Sequence, residues 1–194
     1  GDRRLITRDP FLITRVTLAT HPTLAGPAWQ GGLMRPVVFL DVDGPLNPFA
    51  AKPKPPGFVE HKFRLRRWSR RHPLRMWLNP GHGPALLDAA GDAELVWATT
   101  WGHQANVMVG PAIGLPGLPV VDCSNVDSGW KFEAVARYAG PRPLVWLDDD
   151  FDMYPTARDA FLSRRAGKVT GLVRVDPHTG ITDAHLTAVR EHLK

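Results

Sequence analysis

A single cysteine, Cys123, is all the thiol this 194-residue chain carries. That excludes an internal disulfide and leaves zinc without a thiolate set, so a reducing, cytoplasmic setting is the expectation. No stretch approaches the ~20 consecutive apolar residues that a bilayer-spanning helix needs, and no membrane partner is expected. Residues 5–19 are moderately apolar, but Arg8, Asp9 and Arg15 interrupt any signal-peptide core. Repeats and low-complexity tracts are missing too; the nearest is the Pro-rich KPKPPG at 52–57, a turn or short linker. His61, His72, His82 and His103 are scattered without metal-ligand spacing.

What is present fits one soluble globular domain with a substantial core, at 43% hydrophobic and 22% charged residues. Residues 20–33 (THPTLAGPAWQGGL) read as irregular loop, and a strong strand begins just after Met34. Residues 1–35 are therefore expected to be an extension, with Met34 a candidate original start, and the domain proper to span 36–194. The net charge of +5 is unevenly spread. Residues 52–75 hold nine Lys or Arg against Glu60 alone, a net of +8, which leaves −3 for the rest. The basic character is one local patch.

Short apolar runs that end at polar residues read as buried parallel strands: Val37–Leu40, Leu95–Ala98, Leu118–Val121, Leu144–Leu147 and Val169–Val175. Helical patterns fall between them. Ala85–Ala90 precedes Gly91, and Gln104–Val109 follows the second run. Trp130–Tyr138 has Ser128 as a cap and Gly140 as a stop, and Ala184–Leu193 lies behind Thr182. Strands alternating with helices predict an α/β fold with a doubly wound parallel sheet of about five strands. Chemistry in such sheets gathers at the carboxyl ends of the strands.

Those ends are acidic. The first run ends in Asp41-Val42-Asp43-Gly44, the fourth in Asp148-Asp149-Asp150 and the second in Thr99-Thr100, while Lys131 opens the helix before the fourth. Carboxylates crowded together repel and raise one another's pKa. A hard cation relieves that, and an all-oxygen set favours Mg²⁺. One carboxylate can then attack phosphorus, and another, two residues on, can shuttle the proton. Hydroxyl and ammonium groups can hold phosphoryl oxygens. Alone, each element has a plainer reading: Asp-x-Asp-Gly as a turn, Asp-Asp-Asp as a solvated bend, a helix-start Lys as surface. An EF-hand is excluded by Pro45, which stands where a third ligand belongs. Joint occurrence in order, each at the end of its strand, favours the catalytic reading.

These residues resemble the motifs of the haloacid dehalogenase (HAD) superfamily. VVFLDVDGPL is similar to its first motif, LVWATT to the second, Lys131 to the third and LVWLDDD to the fourth, over about residues 36–194. The resemblance implies a HAD-type Rossmann-like fold with Asp41 as nucleophile and metal ligand. Asp43 is then general acid/base and a metal ligand through its carbonyl. Thr99 and Lys131 hold the phosphoryl group, with Thr100 the alternative to Thr99. Asp148 ligates Mg²⁺, and Asp149 ligates through water or orients Lys131. Asp150 and Asp152 are expected at the surface or capping a helix. DVDGPLNPF, WATTW and WLDDDF are further similar to small HAD domains of bacterial RNA-repair proteins, which are inferred to act as end-processing phosphatases.

Fifty-five residues separate Asp43 from Thr99, and 31 separate Thr99 from Lys131. Neither gap has room for a full cap domain, so an open site is expected. The first gap predicts a small β-hairpin flap within 58–78, its two strands joined by SRRHP. Phe63 and Leu65 alternate with Arg64 and Arg66, and Leu74, Met76 and Leu78 alternate with Arg75 and Trp77. Arginines and Trp77 on one face suit a nucleic-acid platform, or equally a charged edge strand that resists aggregation. Trp101 is expected in the core, and His103 either there or in the substrate pocket. The leading expectation is a phosphomonoesterase acting on nucleic-acid ends or nucleotides. The alternatives are a small-molecule phosphatase or phosphotransferase, and a non-catalytic nucleic-acid-binding HAD-fold protein.

Overall fold

The computed structural model describes residues 34–64, 73–123 and 130–194. Residues 1–33 of the extension, Leu65, Arg66, the SRRHP connection as far as His72, and Ser128 lie outside the described residues.

The first strand, β1 (Val37–Leu40), is four apolar residues with no exposed surface. Such a run satisfies its backbone between two neighbours and buries a side chain on both faces. A hairpin follows, β2 (Val59–Phe63) with β3 (Leu74–Leu78), and then α1 (His82–Ala90). Next come β4 (Glu94–Trp97), a π-helical turn at Ala105–Val109 that runs into α2 (Gly110–Ile113), and α3 (Phe132–Ala139). The chain finishes with β5 (Leu144–Asp148), α4 (Pro155–Arg164), β6 (Thr170–Arg174) and α5 (Asp183–His192). The main sheet is parallel throughout, in the order β4-β1-β5-β6. β1 lies at its centre, and the chain winds away from it in both directions.

Period-two alternation sorts each strand between two cores. Val38, Leu40, Leu95, Trp97, Val145 and Leu147 face α1, α2 and α5, together with Met76 and Leu78 of the hairpin. Val37, Phe39, Val96, Leu144 and Trp146 face α3 and α4. In the second core Trp146 meets Phe151 edge to face at 5.1 Å and Phe132 at 5.3 Å. Each such large side chain stabilises by about 1.5–3 kcal/mol on burial. Among the described residues, no helix is long and apolar enough to cross a membrane.

Three elements differ from the expectation. Among the described residues the sheet has four strands where about five were expected: Leu118–Val121 contributes only a parallel bridge between Trp97 and Val120. Pro119 is the reason, because it has no N–H for a ladder; its carbonyl accepts from Trp97 and Val121 N–H donates back, and pairing goes no further. The Gln104–Val109 helix is a π turn continued by α2. α4 went unpredicted, since Phe161 is its one buried residue and no apolar stripe announces it. Elsewhere the stops hold. Gly91 and Gly140 end α1 and α3 with positive φ, and Thr182 N–H donates to His185 Nδ1 at the start of α5 (3.0 Å).

Candidate active site

Register fixes where the carboxylates fall. Leu40 pairs with Trp97 on one side and Leu147 on the other, so the next residues, Asp41, Ala98 and Asp148, leave three adjacent strands at one level. Asp41 N–H still donates to Leu147 C=O (3.1 Å), which holds the nucleophile candidate on the rigid sheet. Asp41, Asp148 and Asp149 are all buried, and each offers a carboxylate oxygen within 4.8 Å of the others. Lys131, only 3% exposed, donates to Asp41 Oδ2 at 2.7 Å and to Asp148 Oδ2 at 2.8 Å. Val42 N–H donates to Asp41 Oδ1 (2.8 Å) and Asp150 N–H to Asp148 Oδ1 (3.1 Å).

Two devices bring these groups so close. Gly44 has φ +83°, and a Cβ there would lie 2.4 Å from Asp149 Cγ. Glycine is required twice over, for the turn and for the room Asp149 occupies. Before Lys131, Trp130 adopts a left-handed φ of 48°, uncommon for a bulky residue. Its ring stacks on Trp146 with centroids 5.6 Å apart and lies 4.6 Å from Lys131 Nζ. Packing thus holds the strained residue that delivers the ammonium.

Three buried carboxylates lie near one ammonium that pairs with only two of them, and the electrostatics follow. Burial pushes Asp148 up to about 8, with the Asp41 charge adding and Lys131 opposing. Burial, then Asp150 and Asp41, raises Asp149 to about 6. Burial raises Asp41 as well, against the pull of Lys131. Burial disfavours the Lys131 charge, but Asp41 and Asp148 outweigh it, and its pKa lies above the ordinary lysine value. Buried oxygens with surplus negative charge and no nitrogen or sulfur ligand fit a hard divalent cation. Cys123 is close by, but burial lifts its thiol to about 11, so it supplies no thiolate.

Asp43 has different company. Asn47 Nδ2 donates to its Oδ1 (3.0 Å) and Trp101 Nε1 to its Oδ2 (2.8 Å). Neither partner was foreseen: Trp101 was expected in the core, and Asn47 was given no role. Trp101 does pack partly against the core, yet its indole N–H reaches the site. Thr99 is buried just past the end of β4, its hydroxyl accepting from Trp101 N–H, whereas Thr100 is exposed. Asp149 forms no hydrogen bond to Lys131; Asp148 and Asp41 orient that ammonium instead. Asp152 is at the surface, paired with Arg158 and Arg174.

A cavity of about 570 Å³ opens beside Thr99, lined also by Thr100, His103, Asp122 and Cys123. On the other side stands the hairpin. Pairing of Lys62 with Arg75 and of Glu60 with Trp77 sets those four on one face, with Met76 and Leu78 inward. Arg64 is exposed just past β2. Trp77 N–H donates to Asn47 Oδ1 (3.1 Å), which brings the hairpin within two hydrogen bonds of Asp43.

Comparison with curated proteins finds no match. A family model does match, across residues 37–186, and its description is the HAD domain in Swiss Army Knife RNA repair proteins. That span runs from the first residue of β1 into α5 and contains every acidic residue of the site. The chain belongs to this family of the HAD superfamily, whose members are hydrolases, generally phosphatases.

Proposed function

We propose that this domain is a Mg²⁺-dependent phosphomonoesterase that works through an aspartyl-phosphate on Asp41. The observation that carries the reading is the pairing of two unlike aspartates, two residues apart. Asp41 meets an ammonium and two other carboxylates, and Asp43 meets only neutral N–H donors.

In the first step an Asp41 oxygen attacks phosphorus and the bond to the leaving oxygen breaks. Asp43 gives that oxygen its proton. In the second, Asp43 takes a proton from water, whose oxygen attacks the same phosphorus. The Asp41–phosphorus bond then breaks and inorganic phosphate leaves. Lys131 and the Thr99 hydroxyl would bind phosphoryl oxygens as charge develops. Asp41, Asp148 and Asp149 would hold the cation, with the Asp43 carbonyl also available. When bound, it supplies neutralisation for the carboxylates and the phosphoryl group.

Nucleic-acid ends or nucleotides are the proposed substrates. The family's association with RNA repair, the hairpin face carrying Lys62, Arg75 and Trp77, and the absence of a cap among the described residues all support this. The cavity beside Thr99 is in the size range of small-molecule sites and suits the leaving group, with Thr100 and His103 as contacts. A phosphatase screen with Mg²⁺ over nucleotides and 3′- and 5′-phosphorylated oligonucleotides tests the proposal. Mg²⁺-dependent phosphate release that vanishes in Asp41→Asn is expected. Turnover undiminished in excess chelator, or retained by Asp41→Asn, would overturn it.

A further inference from the structure

We infer that Asn47 and Trp101 are positioning residues for proton transfer, holding the Asp43 carboxylate by one oxygen each. The inference rests on the role proposed for Asp43 above and adds the two residues that make it work.

Both Asp43 oxygens are engaged, at 3.0 Å by the Asn47 amide and at 2.8 Å by the Trp101 indole. Held at two points, a carboxylate has neither free rotation about its last bond nor freedom to turn toward Lys131. Both donors are neutral and neither ionises at working pH, so the pair orients the carboxylate without an ion pair.

The orientation of Asn47 follows from what surrounds it. Trp77 N–H can only donate, so the atom 3.1 Å from it is the amide oxygen, and the NH₂ faces Asp43. Asn47 is itself buried and closed into the loop. Its N–H donates to Val42 C=O (2.9 Å) and its C=O accepts from Gly44 (2.9 Å). Trp101 is fixed at the other end, its backbone N–H donating to the Thr99 hydroxyl at 3.3 Å. The clamp therefore spans two strand-end loops and is braced by the hairpin through β3.

The test compares kcat/KM across a series of phosphate esters whose leaving groups range from dinitrophenol to a simple alcohol. This parameter covers steps up to phosphoenzyme formation. A good leaving group needs no proton, whereas an alcohol does. Trp101→Phe and Asn47→Ala should each lose activity progressively as the leaving group becomes more basic. The loss should reach on the order of 10-fold or more on the alkyl ester, part of the 10²–10⁴ that a general acid supplies. Trp101→Phe leaves Asn47 and its bond from Trp77 N–H in place, so a loss there cannot come from the hairpin brace. Asp43→Asn gives the reference, with the steepest dependence of all. Equal losses on every ester, or none on any, in variants that unfold at the wild-type temperature would overturn the clamp while leaving Asp43 in place. An Asp43→Asn enzyme with no dependence on leaving group would instead refute the role of Asp43 itself.

Discussion

Asp41 and Asp43 lie two positions apart and their carboxylates have different hydrogen-bond partners, and substitution should separate them. Asp41→Asn removes the attacking oxygen and should abolish phosphoenzyme formation. Asp43→Asn keeps that oxygen, so turnover should fall by about 10²–10⁴-fold while activated aryl phosphates still phosphorylate Asp41. Rapid-quench assay of both variants checks this. Gly44→Ala makes a second prediction at this scale. A methyl at φ +83° and 2.4 Å from Asp149 Cγ must displace that carboxylate. Stability should drop by roughly 1–3 kcal/mol in urea unfolding, and the Mg²⁺ concentration for half-maximal activity should rise. The acidic residues were legible in the sequence because a strand end is a pattern that one dimension preserves. Asn47 and Trp101 were not. Their partner lies four residues away for one and 58 for the other, and only the folded loops bring the three together.

The hairpin and α1 carry the predictions of element scale. With Arg75 and Trp77 on one face and Arg64 just beyond it, a bound single strand would meet cationic and stacking groups together. Arg64→Ala with Arg75→Ala should raise KM for a phosphorylated oligonucleotide and flatten its salt dependence by roughly 0.7 per lost phosphate contact. Hydrolysis of a small aryl phosphate should hardly change. Trp77→Ala should cost about 1–3 kcal/mol of oligonucleotide binding where a base stacks. Equal losses on both substrates would make the hairpin structural. In α1, burial lowers His82 from its ordinary 6.5 to about 4, and its Nδ1 has no partner. Between those pH values the unfolded chain binds a proton that the native state refuses. Stability from His82 is therefore present above pH 6.5 and declines as pH falls toward 4. Relative to His82→Gln, the wild type should lose about 2 kcal/mol between pH 7 and pH 5, read by urea unfolding at each pH. Elements were legible where burial imposes a period, as in the four main strands and in β3 with its buried Met76 and Leu78; β2 has no buried residue, and alternation from His61 placed it two residues late. α4 was hidden because its surface is solvated nearly all round, and Leu118–Val121 looked like a strand because apolar content alone does not register the missing N–H of Pro119.

At the scale of the molecule, a four-stranded parallel sheet turns outward from β1 and leaves its acidic residues in the crevice between β1 and β5. Sequence order and strand pattern sufficed for that architecture, because a parallel sheet has few ways to connect. If the crevice holds the proposed cation, stability should depend on it. Removing repulsion among Asp41, Asp148 and Asp149 by binding Mg²⁺ should stabilise the native state alone, by about 2.7 kcal/mol at 100 times Kd. A thermal scan should then show Tm rising by several degrees with Mg²⁺, and Asp148→Asn should reduce the rise. The central claim is covalent, however, and one measurement addresses it directly. Wild-type enzyme turning over a phosphorylated substrate is quenched in acid, and its peptides are mapped by mass spectrometry. The account predicts phosphate on Asp41, absent from Asp41→Asn and still found in Asp43→Asn given an aryl phosphate. Steady turnover with Asp41 unmodified throughout, in an assay that recovers its peptide, would contradict it.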